Sequence, residues 1–240
     1  MTSPAEFLPA APSGGWRRAT VREITRPVVG AVVLRMDVAD RVAHSPGQHY
    51  VVRLTADDGY TASRSYSVAS APSDRYVELF IERLDDGEVS TFLADVVEVG
   101  DELEVRGPIG GWFVWDGSTP AIAIGGGSGV VPLVSMLRHA RDTKMMDRVC
   151  LVGAARSLAE LPYADELVGG CHVIALSRAT SPSGRTAGRI VAADLEPLLR
   201  PDQVAFVCGS AGFAESASQV LVDVGVPAHA VRVERFGPTG

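Results

Sequence analysis

The stretch Arg64-Ser65-Tyr66-Ser67 lies within a run, residues 60–70, that alternates in polarity like a β-strand and stops before Pro72. Because successive side chains of a strand point to opposite faces, Arg64 and Tyr66 share one side while Ser65 and Ser67 share the other. A planar molecule bearing phosphates and lying across this strand would meet a cation, an aromatic ring and hydroxyl groups. An exposed strand with two polar faces would have the same sequence, so the interpretation depends on the segments that follow.

Composition limits the classes of protein that this chain can belong to. Its 240 residues are 46% hydrophobic and 21% charged, which is typical of a globular protein with one large domain or two smaller ones. The net charge of −7 disfavours nucleic acid as a partner, because phosphate binding needs a basic face. No apolar run approaches the roughly eighteen residues that span a bilayer, so we expect no membrane insertion.

Cysteine usage and the N-terminal residues bear on the compartment. Cys150, Cys171 and Cys208 are far apart, each in an apolar run, so we expect neither a disulfide framework nor a metal or iron–sulfur ligand set. Residues 1–15 are rich in Pro, Ala and Ser and lack the pattern of a signal peptide, so we interpret them as a flexible arm. Together these features predict a reducing, cytoplasmic location.

The first half of the chain, residues 16–117, has the pattern of an antiparallel β domain. One helix is expected at residues 89–97, after the turn signal Asp85-Asp86-Gly87. Six short strands and one helix predict a small closed barrel. The segments that alternate or are rich in β-branched residues are 17–27, 31–38, 49–54, 60–70, 76–83 and 102–106.

The second half, residues 118–240, shows a different pattern, in which short apolar segments alternate with helical ones. This alternation predicts a five-stranded parallel sheet that is doubly wound. The apolar segments are 121–124, 148–152, 172–176, 204–208 and 230–233, and the helical segments are 131–141, 158–168, 190–199 and 214–224.

Glycines follow the first strand of the second half, in Gly125-Gly126-Gly127-Ser128-Gly129, and Pro132 stands at the expected start of a helix. Such a turn lets a backbone approach a pyrophosphate at a helix N-terminus. Val130 stands where the dinucleotide fingerprint G-x-G-x-x-G needs its third glycine, so this is not the ordinary motif. A tight strand-to-helix turn without a ligand is the alternative interpretation.

Three further segments could bind a ligand or serve structure alone. Gly87-Glu88-Val89-Ser90-Thr91 opens the helix of the first half, where Ser90 or Thr91 could cap the helix or hold a phosphate. Cys208-Gly209-Ser210 ends a strand of the parallel sheet, where ligands bind, although a buried cysteine is more often inert. The segment 233–236 closes the last strand.

Taken in order, these motifs resemble those of the ferredoxin–NADP⁺ reductase superfamily, over residues 16–236. The segment Gly107-Pro108-Ile109-Gly110-Gly111-Trp112-Phe113 is most similar to the reductase components of bacterial oxygenases. The resemblance implies an antiparallel flavin-binding barrel followed by a nicotinamide-binding α/β domain.

The resemblance also implies roles for individual residues around FAD. Arg64 would pair with the flavin phosphates, Tyr66 would stack on the isoalloxazine ring, and Ser67 would hydrogen-bond near flavin N5. The helix start would hold the pyrophosphate, so FAD is expected over FMN. The other residues implied to contact the flavin are Ser65, Phe80, Ile81, Glu82, Gly87, Val89, Ser90 and Thr91.

A second set of residues would bind the nicotinamide dinucleotide. Glu234 and Phe236 match the family's terminal Glu-x-Tyr, in which the aromatic ring covers the flavin; Phe replaces Tyr here, and residues follow it. Residues implied at the reacting atoms are Ser67, Cys208, Glu234 and Phe236, and those implied to hold the dinucleotide are Gly127, Ser128, Gly129, Cys208, Gly209 and Phe236.

The choice between NADH and NADPH should depend on the residues after the second parallel strand. No acid follows it directly, and Arg156 and Ser157 could hold a 2′-phosphate with help from Arg178 or Arg185. Solvated surface arginines are the alternative. The sequence therefore favours NADPH over NADH.

The resemblance implies hydride transfer from NAD(P)H to FAD and release of single electrons to a separate ferredoxin or oxygenase component. Three scattered cysteines cannot ligate a plant-type cluster, so we expect any iron–sulfur centre to be on another chain. The alternatives are a diaphorase that reduces quinones or free flavin, and a non-catalytic flavin-binding module that senses redox state or serves in assembly. The sequence leaves the oligomeric state open.

Overall fold

The computed structural model describes residues 15–237. The predicted N-terminal arm, residues 1–15, therefore lies outside the described residues apart from Gly15.

The first half forms a six-stranded antiparallel barrel with the order β4-β3-β6-β1-β2-β5. A bridge between Val68 and Leu79 joins the chain after β4 to β5 and closes it. The predicted antiparallel barrel is confirmed. Its strands are β1 Arg17–Thr25, β2 Ala31–Val38, β3 His49–Thr55, β4 Thr61–Ser67, β5 Val77–Glu82 and β6 Glu102–Ile109.

Strand alternation places one side chain in two inside the barrel. On β2, for example, Val32, Leu34 and Met36 are buried in its core. The helix α1, Glu88–Asp95, closes one end of the barrel by inserting Val89 and Leu93 into the same core.

The second half is a five-stranded parallel sheet with the order β11-β10-β7-β8-β9. The predicted doubly wound sheet is confirmed, since α2 packs on one face and α3 and α4 pack on the other. The chain changes direction between β7 and β10, which is the switch point where such sheets bind ligands. The elements are β7 Ala121–Gly126, α2 Val131–Asp142, β8 Val149–Ala155, β9 Val173–Leu176, α3 Ala192–Leu195, β10 Val204–Ser210, α4 Ala211–Asp223 and β11 Val231–Phe236.

Two predicted helices are wrong in extent. Residues 158–168 form two 3₁₀ turns, Leu158–Glu160 and Ala164–Leu167, because Pro162 lacks a backbone donor and Tyr163 adopts a left-handed φ of 55°. Residues 190–199 contain only the short α3 and a 3₁₀ turn, since Pro197 interrupts the helix.

The expectation of unpaired cysteines is wrong for two of the three. Cys150 and Cys171 form a disulfide, and Cys208 is free and buried. Parallel pairing of Val152 with Val173 places the residues two positions earlier, 150 and 171, side by side. The argument for a reducing compartment rested on unpaired cysteines, so it no longer follows, and a cytoplasmic location remains a prediction.

The barrel and the sheet share a buried polar interface centred on Arg138 of α2. Its guanidinium donates to Glu78 of β5 at 2.9 Å and to Glu166 at 2.6 Å, and also to the carbonyl oxygen of Ala69. Burial opposes the charge of Arg138, but its bonds to Glu166 and Glu78 outweigh burial and raise its pKa. Tyr163 donates to Glu78 at 2.9 Å, so this barrel carboxylate is held by two residues of the sheet half.

Apolar residues extend the same interface. Val33 of β2 and Phe80 of β5 pack with Val131 and Tyr163 in one cluster. The predicted domain boundary between residues 117 and 118 falls in the segment that joins β6 to β7 and remains a prediction.

In residues 15–237, no helix has both the length and the apolar character needed to cross a membrane.

We expect the substitution Arg138→Met to lower the free energy of unfolding by about 3 kcal/mol, because it leaves the buried Glu78 without its closest cation. The Glu78 side chain is 10% exposed, and its remaining cation, Arg35, is 3.7 Å away. Urea unfolding of the two proteins measures the difference.

The matched control is Arg141→Met, one turn further along α2. Its side chain is 49% exposed and pairs with Glu166 alone, so we expect a loss below about 1 kcal/mol. Equal losses for the two variants would show that the buried network does not stabilise the interface.

Candidate functional site

A cleft of about 890 Å³ lies between the barrel and the carboxyl ends of the parallel strands. Phe80 and Glu82 line it from the barrel, and Ser128, Ser210 and Phe236 line it from the sheet half. The cleft is therefore at the switch point of the sheet, where the chain leaving β7 passes to one face and the chain leaving β10 passes to the other.

The glycine-rich turn after β7 is a 3₁₀ turn, Gly127–Val130, that leads directly into α2. Gly127 has a left-handed φ of 55°. A Cβ atom on Gly129 would lie 2.2 Å from the carbonyl oxygen of Cys208, so only glycine lets this turn pack against β10. Gly127 and Ser128 line the cleft, so an anionic ligand there would meet the backbone at the start of the turn. The first amides of α2 are not available, because Val131 donates to the Ser128 carbonyl and Pro132 has no N–H.

A hydrogen bond crosses the cleft at this turn. The hydroxyl of Ser128 donates to Oε2 of Glu82, at the end of β5, over 3.0 Å. Two residues that the sequence assigned to different ligands are therefore in direct contact.

On β4, the register places Arg64 opposite Val52 and Tyr66 opposite Tyr50, so both share the face that points toward the barrel core. Tyr66 packs on that core, and its burial raises its pKa to about 12. Arg64 is exposed and donates only to the neighbouring Ser63 carbonyl; within residues 15–237 no carboxylate pairs with it. Arg64 is therefore an uncompensated cation.

The two serines of this stretch differ in accessibility. Ser65 is exposed on the opposite face from Arg64 and Tyr66, whereas Ser67 is buried at the end of β4.

The start of α1 is open to a ligand. Gly87 precedes the helix without any side-chain cap. The hydroxyl of Ser90 donates to the Gly87 carbonyl and that of Thr91 to the Leu84 carbonyl, so both stabilise the turn and neither caps the helix. The amides of the first helical turn are thus left for a ligand, and α1 lies beside β4, which carries Arg64.

Two residues predicted near the flavin have buried side chains. Val89 and Ile81 are both in the barrel core, with exposed fractions of 2% and 0%. Each can therefore offer a ligand only its main-chain atoms.

Cys208, Glu234 and Phe236 come together at the ends of β10 and β11, where Cys208 and Glu234 are paired in register. Burial raises the pKa of the Cys208 thiol, and burial raises the pKa of Glu234 to about 7. Oε2 of Glu234 has no hydrogen-bond partner within the described residues. Phe236 lines the cleft, whereas the thiol of Cys208 is fully buried.

The arginines expected to select the dinucleotide differ in availability. Arg185 donates to both carboxylate oxygens of Asp194, at 2.6 and 2.7 Å, and its side chain is 15% exposed. The Arg185 guanidinium is therefore already paired with a carboxylate of the protein, and we no longer assign it to a ligand. Arg156 is exposed and lines the cleft, while Arg178 is not among the cleft residues.

Glu160 and Arg189 line the cleft, and sequence reasoning missed both. The hydroxyl of Ser157 donates to Glu160 at 2.9 Å, and Arg156 lies 3.9 Å from the same carboxylate. Because residues 158–168 were interpreted as a helix, no sequence pattern indicated that Glu160 faces the cleft.

Comparisons with known proteins agree with this geometry. Residues 23–114 match the family model of the oxidoreductase FAD-binding domain. The ferredoxin reductase component of 3-ketosteroid-9-alpha-monooxygenase from Rhodococcus rhodochrous is 30% identical, over 88% of this chain and 61% of its own length. Flavohemoprotein A from Dictyostelium discoideum is 27% identical, over 94% of this chain and 62% of its own length. The chain thus spans about three fifths of these relatives, as the 61% and 62% coverages show.

Among solved structures, the flavohem-like FAD/NAD-binding domain of nitric oxide dioxygenase from Vibrio cholerae superposes with a TM-score of 0.80 at 24% identity, covering 92% of this chain and 99% of that one. The fold is therefore shared, and residues 64–67 lie within the matched FAD-binding segment. Residues 23–114 therefore contain an oxidoreductase FAD-binding domain, and the resemblance to the ferredoxin–NADP⁺ reductase superfamily is confirmed.

Proposed function

We propose that this protein is a flavin-dependent NAD(P)H oxidoreductase that takes a hydride from NADPH or NADH onto N5 of FAD. It then passes single electrons to a separate ferredoxin or oxygenase component. The observation that carries the proposal is the uncompensated Arg64 beside the uncapped start of α1. Neither lines the cleft, whose walls include Phe80 and Glu82 of the barrel and the start of the glycine turn 127–130.

The barrel residues fit FAD. Arg64 and the open amides of α1 present positive charge and donors to a diphosphate, which favours FAD over FMN. Tyr66 offers its ring to the isoalloxazine, and the buried Ser67 offers a hydroxyl at the end of β4. When bound, the flavin supplies the redox chemistry by accepting a hydride and donating electrons one at a time.

The sheet residues fit a nicotinamide dinucleotide. The start of the turn 127–130, where Gly127 and Ser128 line the cleft, brings main-chain atoms to its diphosphate. Phe236 lines the cleft and packs against the cluster that contains the buried Cys208, so we infer that a nicotinamide ring reaches Cys208 only if Phe236 moves. Phe236 thus excludes water from the reacting atoms until the dinucleotide binds.

The acceptor is proposed from the relatives. One of them is named as the ferredoxin reductase component of a monooxygenase, which supports an oxygenase system as the partner.

The test is a visible spectrum of the purified protein, followed by anaerobic addition of NADPH and, separately, NADH. We expect bound FAD that bleaches within seconds and a subsequent one-electron transfer to an added ferredoxin. The variant Arg64→Ala should lose most of its FAD on gel filtration, because the flavin diphosphate loses its cation.

The matched control is Arg22→Ala, an exposed barrel arginine that pairs with Asp37 and should retain FAD. Full flavin retention by Arg64→Ala would contradict the phosphate assignment. Bound flavin that neither donor reduces would instead indicate a non-catalytic module, and reduced flavin that passes electrons only to quinones or free flavin would indicate a diaphorase.

Dinucleotide preference should depend on the opposing charges of Arg156 and Glu160. A carboxylate accepts hydrogen bonds from a ribose 2′-hydroxyl and repels a 2′-phosphate, whereas an arginine favours the phosphate. We therefore expect Glu160→Gln to raise, and Arg156→Ala to lower, the NADPH-to-NADH ratio of kcat/KM, each by about tenfold. The ratio is measured by steady-state kinetics, and an unchanged ratio in both variants would remove these residues from the specificity site.

The rate of flavin reduction should titrate with Glu234. Burial raises its pKa from the ordinary value of 4.5 to about 7, so the carboxyl keeps its proton up to near-neutral pH. Above that pH the carboxylate places negative charge beside the ring that becomes positive as the hydride leaves, so the rate should rise through about pH 7. Stopped-flow reduction of the variant Glu234→Gln should be slow and flat over the same range, and an unchanged pH profile would contradict this role.

A further inference from the structure

Glu82 places a carboxylate at the cleft end of β5, where it accepts the Ser128 hydroxyl at 3.0 Å. Both residues line the cleft. Ser128 is part of the turn 127–130, and Gly127 of the same turn also lines this space. The carboxylate is therefore in contact with the surface that an anionic ligand would occupy.

The other side-chain hydrogen bonds between the two halves lie outside the cleft lining, and they include those of Ser73, Arg148, Tyr163 and Arg232. Ser135 donates to the buried Ser70 carbonyl at 2.7 Å, and Arg138 donates to Glu78, and neither α2 residue lines the cleft. In the part of the chain that the structure describes, the bond between Ser128 and Glu82 is thus the side-chain bridge that a ligand filling the cleft must displace or share.

The charge of Glu82 is not neutralised by its neighbours. Arg83, next to it in sequence, pairs with Asp85 at 2.8 Å and with Asp95 at 2.9 Å. Within residues 15–237, no cation lies within ion-pair distance of the Glu82 carboxylate. The exposed carboxylate therefore faces any incoming anion with its full charge.

We propose that Glu82 is an affinity-determining residue that weakens binding of the dinucleotide diphosphate at the turn 127–130 by like-charge repulsion. The inference rests on the proposed function and adds to it a residue that acts on nicotinamide affinity from the flavin half of the protein. Ser128 holds the carboxylate at the turn, so the repulsion acts on the approaching diphosphate.

Two consequences follow from a local repulsion of the diphosphate, and the control Asp57→Asn described below separates it from a general effect of net charge. The repulsion is electrostatic, so salt should screen it and dinucleotide binding should strengthen as ionic strength rises. NAD⁺ and NADP⁺ carry the same diphosphate, so both should be affected by the same factor.

The experiment is isothermal titration of the FAD-loaded protein with NAD⁺ and with NADP⁺, at about 20 mM and about 300 mM salt. For Glu82→Gln we expect both dinucleotides to bind about three- to tenfold more tightly than to the wild type at low salt. At high salt the difference should shrink to less than about twofold.

Three controls accompany the variant. Glu82→Asp keeps the charge and should bind within about twofold of the wild type, which separates charge from shape. Asp57→Asn removes one exposed charge from a barrel turn outside the cleft lining and should leave both affinities unchanged. Flavin content and the urea midpoint of each variant confirm folding.

Equal or weaker binding of the dinucleotides by Glu82→Gln at low salt would overturn the proposal. The carboxylate would then either have no effect on dinucleotide affinity or accept a hydrogen bond from the dinucleotide. A gain for NADP⁺ alone would also overturn it, because the 2′-phosphate would then be the repelled group. If the wild type and all variants contain FAD but bind neither dinucleotide, the proposed function fails together with this inference. The titration of the wild type alone separates that result from a failure of this inference by itself.

Discussion

The burial of Arg138 between two acids from different halves of the protein is the constraint on which the cleft depends. Its guanidinium contacts Glu78 of the barrel and Glu166 of the sheet half. Buried charges are tolerated only where their partners satisfy them in a fixed geometry, because an unpaired charge at such a site costs several kcal/mol. A change in the angle between the halves would separate these charges, so the network fixes one orientation.

This fixed orientation of the two halves determines the shape of the cleft. On one side of the interface, Val33 and Phe80 pack against Val131 and Tyr163, and the contact excludes water. On the other side, the ends of β5, β7 and β10 leave a space that no side chain of residues 15–237 fills. Phe80 takes part in both, since it packs in the apolar cluster and lines the cleft. The geometry between barrel and turn is therefore set by packing and ion pairs behind the site.

Local sequence patterns predicted most of the fold and less of the site. Strand alternation and the glycine turn at 125–129 depend on neighbouring residues, so both halves and their order could be identified. The disulfide of Cys150 with Cys171 follows from the register of β8 and β9, which spacing alone does not reveal. The position of Glu160 in the cleft lining was not predicted, because Pro162 prevents the helix that the pattern of residues 158–168 suggests. Arg185 was assigned to a ligand because the sequence could not show that Asp194 holds it.

The distribution of charge in the barrel and in the cleft agrees with the different binding strengths that the two proposed ligands require. FAD must stay bound through many turnovers, whereas a nicotinamide dinucleotide must leave after each one. In the barrel, outside the cleft lining, Arg64 and the uncapped start of α1 offer positive charge, and within residues 15–237 no carboxylate forms an ion pair with Arg64. In the cleft lining, Glu82 and Glu160 stand among three arginines, of which Arg83 pairs with two aspartates and Arg156 lies 3.9 Å from Glu160. Attraction that is opposed by nearby negative charge gives weak, reversible binding, so the proposed flavin site can retain its diphosphate while the cleft releases the other.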